Sequence, residues 1–209
     1  MPPARTSTMT NMNRDRMTAR GRISARLVSG SGELPFCENH NALSYTSSEV
    51  MAEAYGGDAS RIPKYIGFIY GTDPMPPMDE IDRDMTWDTV KALIEKIHGN
   101  MLVTRFSRRP YVYSDPDDSA EGTGSTVMFS AVTRTGYDGM YVEDTTGQSN
   151  FAPALSSDMY IYRVVLLGDS RGCGNDYTVL GMADLMKNGA YRAKPADYEL
   201  ALDWRVTFN

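Results

Sequence analysis

The stretch that closes the chain, Tyr198 to Asn209, alternates in hydropathy with a period of two. Tyr198, Leu200, Leu202, Trp204, Val206 and Phe208 fall on one side of it. Glu199, Asp203, Arg205 and Thr207 fall on the other, with small Ala201 among them. Side chains along a strand point to opposite faces in turn, so the pattern predicts a half-buried antiparallel strand. The strand occupies the last residues, and no catalytic motif is expected after it.

The rest of the chain points the same way. At 209 residues the length suits one domain, or one domain with an arm. A chain of this size buries roughly 70% of its unfolded surface, so its core needs no staples. Gly, Tyr, Thr and Ser are plentiful, which favours strands and turns. No apolar run approaches the ~20 residues of a membrane helix, and the N-terminus has no apolar signal region. Neither membrane insertion nor secretion is expected. Cys37 and Cys173 form no CxxC pair and are too few for a tetrahedral zinc site. Two free thiols in a reducing cytoplasm are expected, with a disulfide as the alternative.

Periodicity divides the chain into elements. Ile23, Ala25 and Leu27 alternate with Arg22, Ser24 and Arg26, predicting a strand that ends at Gly30-Ser31-Gly32. A short strand is expected from Leu34 to Cys37, with Pro35 favouring a sheet edge. Thr46 and Glu49 have the spacing of a capping box, which opens a helix that Gly56-Gly57 stops. Ile62 to Tyr70 is apolar on both faces and predicts a central strand. Residues 71–85, rich in proline and acids, are expected to be a loop. Thr86 then caps a helix carrying Trp87, Val90, Leu93, Ile94 and Ile97, which Gly99 ends. Strands are expected at 101–106, 110–114, 126–135, 140–143, 159–168, 177–185 and 198–208. The fold class is therefore mainly β: an antiparallel β-sandwich or jelly-roll-like domain over 20–209, with helices near 46–56 and 86–98. Residues 1–19 are expected to form an extended basic N-terminal arm.

Chemistry is sparse. Val164 to Ser170 ends an apolar strand in Gly-Asp-Ser and resembles the nucleophile block of GDSL-type esterases, where a base must take the serine proton. No histidine follows Ser170, since His40 and His98 both lie upstream, so a hairpin turn is the expected role. His98 is expected in the last helical turn, where a positive charge interacts favourably with the dipole. His40 sits between Asn39 and Asn41, a trio suited to turn or capping hydrogen bonds. Asp115, Asp117, Asp118 and Glu121 fail the EF-hand pattern, because Ala120 and Thr126 stand where glycine and glutamate are needed. They are expected to form an acidic turn, as are Asp79, Glu80, Asp82 and Asp84. No catalytic residue, metal site or cofactor is expected.

Charge is unevenly placed. The chain carries −6 overall, yet residues 1–26 hold Arg5, Arg14, Arg16, Arg20, Arg22 and Arg26 against Asp15 alone. A basic arm on an acidic body suits docking onto an acidic neighbour. It has no aromatic residue for base stacking, and no nucleic-acid partner is expected. Arg5, Arg14, Arg16, Arg20 and Arg22 are the expected partner-binding residues.

The run Arg22 to Leu27, the step Glu38-Asn39-His40-Asn41, the strand Ile62 to Thr72 and the closing Leu200 to Phe208 together resemble small virion proteins of tailed bacteriophages. The long acidic stretch 71–85 and the N-terminal arm depart from that pattern. The resemblance implies a non-enzymatic tail-fibre, collar, baseplate or head-fibre component located in the virion and made in the host cytoplasm. It implies a homo-oligomer, trimer or ring, that also contacts other virion proteins. The alternatives are a capsid decoration protein, or a receptor- or glycan-binding module using loops 114–125, 136–150 and 168–177, with Tyr137 and Tyr141 as stacking residues. A Ser170 esterase is the remote alternative.

Overall fold

A computed structural model of the chain describes residues 19–107, 109–113, 125–133, 141–143, 149–150, 158–170 and 176–208. The elements in order are β1 (Ala19–Ser29), β2 (Gly32–Leu43), α1 (Tyr45–Tyr55), β3 (Pro63–Gly71), α2 (Trp87–Lys96), β4 (Asn100–Arg105), β5 (Tyr111–Tyr113) and β6 (Ser125–Val132). They continue with β7 (Tyr141–Glu143), β8 (Ser149–Asn150), β9 (Met159–Asp169), β10 (Tyr177–Asp184), β11 (Met186–Lys187), β12 (Ala190–Tyr191), β13 (Ala193–Lys194) and β14 (Glu199–Phe208). The fold is mainly β, as the alternation implies. The expected longer strands all appear, and the short β8, β11, β12 and β13 carry too few residues to show a period.

One antiparallel sheet runs β5-β6-β14-β1-β2-β10-β9-β3-β4-β7-β8, with β13 added to β9. It curls so that its first five strands face the others. Ile23, Ala25, Leu200, Leu202 and Trp204 from the first half share a core with Ile66, Phe68, Leu102, Val164 and Leu166 from the second. β2 makes the corner. It pairs with β1 along most of its length and then with β10 at Ala42 and Leu43. Strands that pass from one sheet to the other in this way are a known means of closing a sandwich.

The second half-sheet is buried on both faces. Ile69, Met101, Val103, Val165 and Leu167 point away from the inter-sheet core into a second cluster, covered by Trp87, Val90 and Ile94 of α2. The segment 71–85 is part of this cover and is more than the expected loop: Met85 is buried, and Met75, Met78 and Ile81 pack against the same cluster. Its acids face outward at the positions between. β3 lies between β9 and β4, as its two apolar faces predict.

Local chemistry explains most element ends. Thr86 caps α2, accepting from Thr89 N–H while the Thr89 hydroxyl accepts from Thr86 N–H. The helix does not end on Gly99. His98 takes the left-handed position at φ 48°, with His98 N–H bonded to Glu95 and Gly99 N–H to Ile94, a Schellman ending. His98 therefore lies past the last helical turn, and Gly99 is required because a Cβ there would press on the Tyr70 carbonyl. α1 ends the same way, with Gly57 at φ 96°.

The N-cap of α1 is Ser44 rather than Thr46, and the expected Thr46–Glu49 box is absent. The cause is tertiary. A bulge in β10 between Val179 and Gly181 turns two carbonyls off the ladder. The Ser44 hydroxyl donates to Val179 O at 2.7 Å, and the Ser47 hydroxyl donates to Leu180 O. β2 also exceeds its expected bounds. A bulge at Phe36, next to Pro35, absorbs the proline, and the strand continues through the Asn39-His40-Asn41 trio expected to form a turn. The Asn39 amide instead donates to Asp184 O and Met186 O, joining the two half-sheets.

Gly168 packs directly against the backbone of Arg61, and a Cβ would overlap the Arg61 carbonyl. Backbone cannot swing aside as a side-chain end can. Gly168→Ala is expected to cost about 1–3 kcal/mol through overpacking, read as a lowered urea midpoint at unchanged m-value. An unshifted midpoint would show that the Arg61 loop yields freely.

Candidate interaction surfaces

The arginines separate into two groups. Arg5, Arg14 and Arg16 lie outside the described residues. Arg20 and Arg22, expected as arm contacts, belong to β1 and stand on the outer face of the first half-sheet. β1 begins at Ala19, so the body takes in the last residue expected in the arm. The Arg22 guanidinium lies 2.8 Å from Glu38 on the neighbouring strand, and Arg26 bridges Asp203 at 3.1 Å and Glu33 at 3.5 Å. Alternation made these residues outward-facing, and cross-strand acids then took up their charge. This ladder continues through the Ser130 hydroxyl, which donates to Asp203, and a hydrogen bond between the Thr126 and Thr207 hydroxyls. Arg20 is exposed. Tyr137 lies outside the described residues, and only the backbone of Tyr141, in β7, is described.

Among the described residues, two cavities adjoin the second half-sheet. The first, about 210 Å³, lies between α2 and the 71–85 segment beside Arg163, Asp84, Thr89 and Met182. Arg163 is buried, and its Nε donates to Asp184 at 2.8 Å. Its Nη2 donates to the Asp79 carbonyl, and the Tyr191 hydroxyl donates to the Asp184 carboxylate at 2.8 Å. Arg163 thus ties the 71–85 segment to the sheet, and its charge is neutralised by Asp184. That is a packing device, and it leaves little positive charge to draw an anion.

The second cavity, about 100 Å³, lies under α1 at one end of the sandwich. Ser47, Val50 and Met51 of α1 line it from above, Leu166 and Leu180 from one half-sheet, and Phe129, Val206 and Phe208 from the other. Only Ser47 adds a polar side chain. α1 itself is lightly anchored, with Val50 its sole buried residue among those described. The buried Arg61, which pairs with Glu49 and Glu53, ties the helix to the approach to β3. Tyr45, Tyr55 and Ile62 are exposed around this end of the molecule. Tyr45 carries Arg83 over its ring at 5.1 Å. Sequence reading missed the cleft because its walls come from seven elements, β2, α1, β3, β6, β9, β10 and β14.

Buried polar groups elsewhere are structural. Lys194 is fully buried, donating to the Pro195 and Tyr198 carbonyls at 2.7 and 2.6 Å, and it fixes the turn into β14. Burial pushes its pKa down. Cys37 is a free thiol in the inter-sheet core, and Cys173 lies outside the described residues. Burial pushes the Cys37 pKa up to about 12, so the thiol is un-ionised and unreactive at neutral pH. Burial likewise raises Tyr70, Tyr162 and Tyr191.

Ser170 follows the end of β9, where Asp169 pairs with Tyr177 and meets Lys64. Both histidines belong to the other end of these strands. His98 adjoins Asn100, which pairs with Tyr70 beside Ile161. Eight strand residues from there to Asp169 span roughly 27 Å at ~3.4 Å each. His40 lies on β2 toward Asp184, while Ser170 adjoins Tyr177. The described residues bring no histidine to Ser170. Among them, no group of three or more His, Cys, Asp or Glu is arranged to hold a metal ion. Asp82 accepts from Asp84 N–H within a turn, and Asp79 meets Lys96 at 3.4 Å. Asp115, Asp117, Asp118 and Glu121 lie outside the described residues. No helix among the described residues is long and apolar enough to cross a membrane.

The raised thiol and phenol pKa values set a pH dependence. Above the ordinary thiol value of 9.0, the unfolded chain releases the Cys37 proton while the folded chain holds it up to about 12. The folded state then binds more protons, so stability falls as pH rises through that window. The three tyrosines act in the same sense above their ordinary 10.0. Urea midpoints should fall steadily above pH 9, and less steeply in Cys37→Ala. A Cys37→Ala slope equal to that of the parent would remove the thiol from this account.

Comparison with protein families, with curated proteins and with solved structures finds no match to this chain.

Proposed function

We propose that the chain is a non-enzymatic structural component of a tailed-bacteriophage virion, attached in the tail, collar, baseplate or fibre. In this reading the body associates with copies of itself, and the N-terminal segment reaches neighbouring particle proteins. The observation that carries the reading is β5, the edge strand among the described residues, which exposes Tyr111 and Val112, the latter 65% exposed. An apolar edge strand is a template for pairing with another chain, and burying it against a copy removes that liability. The pairing of β1 with β14 from Ala19 to Val28 adds to this. It holds the strand that follows residues 1–18 firmly in the sheet. The resemblance of the β1, β3 and β14 segments to small virion proteins is what favours a place in a particle.

Sedimentation of the purified protein at micromolar concentration is expected to give a trimer or a larger ring, and Val112→Lys to lower the assembly state. A parent chain that stays monomeric across the accessible concentration range would overturn self-association. Deleting residues 1–18 should leave the β-rich circular dichroism spectrum intact while abolishing incorporation into particles. Normal incorporation of that deletion would remove the N-terminal segment from attachment.

A further inference from the structure

The cleft between α2 and residues 71–85 holds a buried donor that the surrounding protein leaves under-used. Arg163 lines it with a side chain only 7% exposed. Of its three nitrogens, Nε donates to Asp184 and Nη2 to the Asp79 carbonyl. Nη1 meets only the Met182 sulfur, at 4.0 Å. A thioether is a weak acceptor, so one edge of a buried guanidinium still lacks an oxygen. The apolar part of the lining comes from Ile81, Met85, Leu93 and Met182. Asp82 and Asp84 line the cleft from exposed positions, and neither forms a salt bridge among the described residues. Arg83 between them is engaged elsewhere: its Nε donates to the Leu43 carbonyl and its guanidinium lies over the Tyr45 ring. At about 210 Å³ the space exceeds the ~150 Å³ that accepts benzene.

We propose that this cleft binds one unit of a neutral sugar, with a hydroxyl oxygen accepting from Arg163 Nη1 and other hydroxyls donating to Asp82 and Asp84. The two ends of the cleft select the class. Its buried end needs an acceptor, and its open end, with two carboxylates, needs donors. A hydroxyl is both, so a polyol answers the two ends with one kind of group. A carboxylate or phosphate would meet Asp82 and Asp84 on entry, and Asp184 has already neutralised Arg163. An alkylammonium would suit the two aspartates but has no acceptor for Nη1, and like charge opposes it there. The C–H faces of a sugar ring match Ile81, Leu93 and the two methionines. Apolar lining with a few directed polar groups is the usual make-up of a small-molecule site. The site does not involve β5, so the proposal goes beyond the structural role given above and does not rest on it.

The test titrates the full chain, ¹⁵N-labelled, and follows its amide shifts. The ligands are glucose, galactose, mannose and N-acetylglucosamine, their methyl glycosides, glucuronate and n-butylammonium. Saturable shifts at Met85, Leu93 and Met182 are expected with at least one neutral sugar. Glucuronate and butylammonium should bind more weakly by about ten-fold or more. Asp84→Ala is expected to weaken the sugar by about ten-fold through a lost charge-assisted hydrogen bond. Leu93→Trp, which fills the cleft, should abolish binding. Asp84 is exposed, so its variant keeps the test decisive even if the tryptophan disturbs α2. No saturable shift with any neutral sugar, or equal affinity in both variants, would overturn the proposal, as would tighter binding of glucuronate or butylammonium. A methyl glycoside that binds as tightly as its free sugar supports the end unit of a glycan as the source. Free sugars binding alone support a soluble sugar.

Discussion

The structure depends on a half-sheet that must be covered twice. β3 and β9 present apolar side chains to both faces, with Ile66, Phe68, Val164 and Leu166 on one and Ile69, Val165 and Leu167 on the other. Leaving either face in water would forgo roughly 25 cal/mol for each Å² of apolar surface. The first face is met by the curl of the same sheet through β2, and the second by α2 with the methionines of residues 71–85. The sandwich, the helix layer and the buried Arg163–Asp184 pair that holds the cover in place all answer this one requirement.

Most of the architecture was legible because burial on one face writes itself as alternation. The β14 stripe from Tyr198 to Phe208 lies in the inter-sheet core as its period predicts, and β1 follows the same logic, while β3 was legible as a run apolar on both faces. Thr86 was legible as a cap because its partner, Thr89, lies within the same turn. Ser44 was not, since what fixes it is a pair of carbonyls released by a bulge in β10, far away in sequence. The same distance hid the role of Asn39, whose amide partners are the carbonyls of Asp184 and Met186.

Site prediction was less complete for a related reason. Counting arginines over residues 1–26 gave a charge total but not a boundary, and β1 took Arg20 and Arg22 into the sheet, where Glu38 meets Arg22. The cleft under α1 has no local signature at all. Each of its walls is an ordinary apolar residue in its own element.

Sequence by itself determined which faces are apolar, where the longer strands and the two helices lie, and that Thr86 caps α2, because these follow from side-chain periods and contacts within a turn. Tertiary structure alone decided that Met75, Met78 and Met85 cover the second cluster, that His98 rather than Gly99 adopts the left-handed position, and that the Asn41 side chain packs across Gly21. Those outcomes depend on which distant backbone groups and cavities meet each residue, and a linear pattern carries no distance between remote segments.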